Sequence, residues 1–144
     1  MKQLVEPEVY NQSASEVLAF LARTRDQLAD FRRNLLRPRE GQTASIIAVV
    51  YDVECRQYES GLTLEMWAEA EVEDSDALTW WLDMIYGEEG WLLDGRVSWN
   101  GQDVVFETPI VTLPDFQSAQ HKASTMLEEL FQAGSQILNK RLSA

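Results

Sequence analysis

The chain has 144 residues, 45% of them apolar, a single cysteine and a formal net charge of −12. That length suits one ordinary hydrophobic core, and one cysteine excludes an intramolecular disulfide or a multi-cysteine metal centre. The charge opposes binding to a nucleic-acid backbone or an anionic membrane surface, both of which need clustered Lys and Arg.

No apolar run approaches the roughly 20 residues that span a bilayer. The N-terminal residues Met1-Lys2-Gln3-Leu4-Val5-Glu6-Pro7-Glu8 hold no apolar signal core, so the expected location is the cytoplasm. The charge is unevenly spread. Residues 23–39 carry six Arg and two Asp, a sum of +4, whereas residues 40–115 carry 17 acidic residues and two Arg, a sum of −15. A basic helix beside an acidic sheet is therefore built into the chain, and both surfaces serve solubility whether or not they bind anything.

Residues 1–12 show no hydrophobic period and are expected to form a loose arm on a single domain spanning residues 1–144. Ser13 and Glu16 have the spacing of a capping box, which predicts a helix start. Ala14, Val17, Leu21, Leu28, Phe31 and Leu35 then recur at helical steps. Pro38 ends this helix, because the residue before a proline avoids helical dihedrals.

From Ser45 the period changes to two. Ile47, Val49, Tyr51, Val53 and Cys55 share one strand face, and Leu62, Leu64, Met66, Ala68, Ala70 and Val72 share another. A two-residue turn at Ser60-Gly61 would set Cys55 opposite Met66, Val53 opposite Ala68, Tyr51 opposite Ala70 and Arg56 opposite Glu65. Residues 78–86 are compatible with a helix capped by Asp74 or Ser75. Register favours a strand. A hairpin loop at Gly87–Gly90 puts Met84 against Leu93, Trp80 against Val97, Leu78 against Trp99 and Trp81 against Arg96, at the cost of setting Asp83 against Asp94. Asn100-Gly101 predicts a type I′ turn, with Val97 facing Val104 and Phe106 covering Gly95. Phe116, Ala119, Ala123, Met126, Leu130, Ala133 and Ile137 form the stripe of a last helix, interrupted by Gly134.

The expected fold is a two-layer α+β domain: a five-stranded antiparallel β-meander with a long N-terminal and a long C-terminal helix packed on one face. The second sheet face carries Glu65, Glu69, Glu71 and Asp83 beside Trp67, Trp81, Ile85 and Leu92. Two tryptophans on an acidic face form a candidate contact patch for a protein partner, a basic one by charge, although a loop, the N-terminal arm or a second subunit would cover them equally well. Arg25, Arg32 and Arg39, spaced by sevens, are a candidate docking edge for an acidic surface, including the sheet of a second copy. The helix stripes suit either a core or a two-fold homodimer.

No chemical motif competes with this reading. His121 has no partner that would orient it as a base, and Cys55 is expected to be buried and inert. Glu65, Glu69, Glu71 and Glu73 share one strand face, on which successive positions lie about 7 Å apart, too far spread to converge on a cation. No metal or cofactor is implied. The expected function is a non-enzymatic, acidic protein-binding domain of the adaptor, chaperone or inhibitor (immunity) type, by analogy of size and charge. The alternative is a small-ligand protein or carboxylate-based enzyme with a pocket between helix and sheet.

Overall fold

The computed structural model describes residues 7–37, 41, 43–59 and 61–143, with side chains described from residue 14 onward. Its elements are α1 (Pro7–Leu35), β1 (Ile46–Tyr58), β2 (Gly61–Val72), β3 (Ala77–Gly87), β4 (Gly90–Trp99), β5 (Asp103–Glu107), β6 (Val111–Leu113) and α2 (Phe116–Ser143). The sheet runs in the order β1-β2-β3-β4-β5, every pair antiparallel. The short β6, absent from the sequence reading, pairs with β4 at Trp91–Leu93 beyond the stretch occupied by β5. This is the expected α+β architecture with one strand added. Among the described residues no helix is long and apolar enough to cross a membrane.

Helix α1 starts earlier than expected. Residues 7–12 are helical rather than a loose arm, so Ser13 lies inside the helix and not at its cap. Proline is favoured in a first helical turn, where its missing N–H would have no partner anyway. Residues 1–6, Pro38 and Arg39 lie outside the described residues. Helix α2 is capped by Asp115, whose carboxylate accepts the Ser118 N–H at 2.7 Å.

Both helices rest on one face of the sheet. Phe20, Leu28, Phe31 and Leu35 of α1 join Ala119, Ala123, Met126, Leu130 and Leu138 of α2 in one core with Val49, Leu64, Met66, Trp80, Leu82, Met84 and Leu93. The helix stripes are thus consumed within the chain. Phe31 stacks on Phe131 with centroids 3.9 Å apart and meets Trp80 edge-on at 4.9 Å, tying α1, α2 and β3 together.

Residues 78–86 form a strand, and its expected pairing with β4 is reproduced position by position. The β1–β2 hairpin differs by two residues. Tyr58 pairs with Gly61; Cys55 faces Leu64, Val53 faces Met66, Tyr51 faces Ala68 and Arg56 faces Thr63, while Ser60 of the expected turn lies outside the described residues. An even shift leaves the paired side chains on their expected faces. A bulge between Ile46 and Ala48, however, turns Ile47, expected on the core face, out to 56% exposure and packs Ile46 against the core instead. Gly61 explains the two-residue shift. It has φ of +129°, and a Cβ on it would fall 2.2 Å from the Tyr86 carbonyl oxygen, so this start of β2 beside β3 admits glycine alone.

Asn100 and Gly101 both take positive φ, 55° and 70°, as the expected turn requires. The β4–β5 ladder is nevertheless offset by a bulge. Val97 meets Phe106 rather than Val104, so Phe106 does not cover Gly95. Gly95 lies under Leu130 of α2 and beside Thr108, each 3.0 Å from where a Cβ would sit. Its role is to admit the helix, not to be patched by a neighbouring strand.

Cys55 is exposed, contrary to expectation. It has core-side parity, but residues 55–59 at the end of β1 are all exposed.

Candidate functional site

The register sorts the sheet face opposite the helices, which no described element covers, into straight cross-strand rows. One row reads Asp52, Trp67, Trp81, Arg96, Glu107, and the next reads Glu54, Glu65, Asp83, Asp94. A third reads Arg56, Thr63, Ile85, Leu92, Thr112, and on the other side Val50, Glu69, Thr79 and Ser98 line up.

Trp67 and Trp81 are directly opposed at the centre of this grid, ring centroids 6.0 Å apart and tilted by 33°. Both are half-buried. Asp83 and Glu69 are their diagonal neighbours. Of the other expected contact residues, Glu65, Glu69, Asp83, Ile85 and Leu92 are half-buried, and Glu71 is exposed at the β2 end opposite Ala77. The predicted patch is thus brought together on one surface.

Four carboxylates stand in line across four adjacent strands. Like charges directly opposite each other destabilise a sheet, by roughly 0.2–1 kcal/mol per pair. The outer end of the row is compensated: Arg56 contacts Glu54 at 2.6 Å and approaches Glu65 at 4.0 Å, and the Tyr58 hydroxyl donates to Glu65 at 2.7 Å. The inner end is less so. Burial pushes the Asp83 carboxyl up to about 6, the Glu65 and Asp94 charges push the same way, and Arg96 opposes them. Among the described residues no three acidic, thiol or imidazole side chains converge closely enough to hold a metal ion. The row is a line of separate charges. Beside it, the Thr63 hydroxyl is buried without a hydrogen-bond partner among the described residues.

The chain matches no protein-family model, no curated protein and no solved structure.

Function is therefore read from the surface itself. Two of the α1 arginines reach their own sheet. Arg25 pairs with Asp52 at 2.8 Å, and the Arg32 Nε–H donates to the Val49 carbonyl at 2.9 Å. Both partners lie on β1, an edge strand, whose outer carbonyls would otherwise stand ready to pair with another chain. Arg39 lies outside the described residues. His121 is exposed on α2.

The sequence register already set Arg96 against Trp81 and Asp94 against Asp83, as the structure has them; it did not bring Glu54 opposite Glu65 at the outer end of the row. The β2–β3 register joins the two halves of each row, setting Glu65 against Asp83 and Trp67 against Trp81. The turn that sets it, residues 73–76, is closed by the Val72 N–H on the Asp76 carbonyl at 2.9 Å, with Ser75 at φ 69°. A serine in that conformation leaves no sequence signature.

Proposed function

We propose that this chain is a non-enzymatic, acidic docking domain that binds a basic protein partner through its open sheet face, in the manner of an adaptor, chaperone or inhibitor. The observation that carries the reading is the half-exposed Trp67–Trp81 pair, set in the middle of a face that no described element covers and bordered by the row Glu54, Glu65, Asp83 and Asp94. Tryptophans that keep part of their surface in water are the typical anchors of interfaces. Carboxylates around them steer a basic partner and speed its approach. A row of like charges costs stability and adds nothing to the core, which fits a surface kept for binding.

A homodimer is the weaker variant of this reading. The helix stripes that suggested it are buried within one chain, and a net charge of −12 opposes stacking two such faces. A cytoplasmic setting fits the single, free and exposed Cys55.

The test compares wild type with a Trp67→Ala/Trp81→Ala variant as baits in cells of origin, with circular dichroism to verify that both are folded. A basic protein bound by wild type is expected to drop at least about tenfold on the variant, the loss of an anchor worth some 2 kcal/mol, and to dissociate as salt rises. Equal recovery on the folded variant refutes the proposal.

A further inference from the structure

On the helix side of the sheet, away from the tryptophan pair, a half-open cleft of about 640 Å³ lies between the N-terminal half of α1, the start of α2 and the β1–β2 end of the sheet. Sites for small ligands span roughly 300–1,000 Å³. Aromatic rings form one wall. Tyr86 packs on Trp91 with centroids 5.1 Å apart, and Trp91 packs on Phe116 at 5.1 Å. Leu62 of β2 with Val17 and Leu18 of α1 complete the apolar lining. Leu18 and Tyr86 are 66% and 52% exposed, so a good part of this surface is open to an occupant.

The charge of the lining selects among occupants. Glu16 and Asp115 are its carboxylates, and among the described residues no Lys, Arg or His lines it. Glu88 and Glu89, in the hairpin next to Tyr86, add negative charge nearby. An anionic amphiphile meets repulsion here, and a neutral one leaves the carboxylates unused. Aromatic faces beside carboxylates are the chemistry that recognises organic ammonium ions. We propose that this cleft binds a hydrophobic organic cation, of the class of alkyl or aryl quaternary ammonium compounds. The Asp115 carboxyl is held below its ordinary range by hydrogen bonds from Ser118, and so keeps its charge for such a ligand. The carboxylates come from the two helices, not from the apolar side of the sheet, where the strand pattern places almost none.

Cys55 lines the same cleft and is the sole cysteine, which supplies a reporter. The experiment follows alkylation of Cys55 by iodoacetamide in the full chain, by intact mass. The probes are decyltrimethylammonium below its micelle concentration, decanoate and decanol. The cation is expected to slow alkylation at least about fivefold at saturation, with decanoate and decanol giving less than about twofold. In Glu16→Gln/Asp115→Ser, where serine preserves the helix cap, protection by the cation is expected to need about tenfold more ligand. Equal protection by all three probes reduces the cleft to a greasy surface and overturns the proposal. So does absence of protection by the cation. If the double variant does not fold, the comparison of the three probes on the natural chain decides alone. None of these outcomes depends on Trp67 or Trp81, so the docking proposal and this one fail separately.

Discussion

Gly134→Ala is expected to destabilise the chain by about 3 kcal/mol, although the same change in an ordinary helix interior stabilises by about 1 kcal/mol. A Cβ at position 134 would fall 2.0 Å from Trp80 Nε1, with two more indole carbons inside 2.8 Å. The indole cannot step aside cheaply. Its Nε1–H donates to the Leu130 carbonyl of α2 at 2.9 Å, its side chain is fully buried, and Phe31 stands edge-on against it. The extra methyl therefore forces either the helix away from β3 or the ring out of its hydrogen bond, leaving a buried N–H unpaired. A thermal melt should show a midpoint about 10 °C lower. Trp80→Phe is expected to remove most of the difference between glycine and alanine at 134, because the smaller ring vacates the clashing position; a melt of the double variant checks this. The glycine that looked like a flaw in the α2 stripe is the notch that seats Trp80.

Asp83→Asn is expected to raise stability near neutral pH. The folded-state pKa of Asp83 stands at about 6, against an ordinary value of 3.8. Between these two values the native state holds a proton that the unfolded chain has released. Stability is therefore greatest below pH 4 for this group and falls as pH rises towards 6. By linkage the full shift amounts to about 3 kcal/mol, which solvent screening of a half-buried group reduces to roughly 1–2 kcal/mol. Asp76 and Asp115 act in the opposite sense. Their carboxyls are lowered by hydrogen bonds, from Arg141 and Asn100 for Asp76 and from Ser118 for Asp115, so their contribution is present above the ordinary range and lost as pH falls through it. Melting temperatures of wild type between pH 4 and 7 should decline, and those of Asp83→Asn should decline less. A variant no more stable than wild type at pH 7 would remove the cost assigned to the carboxylate row.

Much of the fold was legible because period and pairing agree. Residues 78–86 read as a strand once Met84, Trp80 and Leu78 found apolar partners on β4, and the structure has those pairs. Parity carried the site as well: Trp67, Trp81, Glu65 and Asp83 share a face whichever even register is chosen. What failed depended on contacts between distant segments. Gly61 shifts the first hairpin because the β3 backbone crowds it. Gly95 is shaped by a helix 35 residues further on, at Leu130. The heptad spacing of Arg25 and Arg32 likewise gave no sign that they contact Asp52 and Val49 on the edge strand of their own sheet. Cys55 has core parity but sits where β1 has left the core, and the cleft it lines draws on six elements that no local pattern relates.

The most direct measurement is hydroxyl-radical footprinting of the chain alone and as recovered with its bound partner, read residue by residue by mass spectrometry. Docking on the open face predicts that Trp67 and Trp81 lose most of their oxidation in the complex, while Trp91 and Tyr86 on the helix side keep theirs. Unchanged oxidation of Trp67 and Trp81, with protection at Trp91, Tyr86 or along α2 instead, would contradict the account.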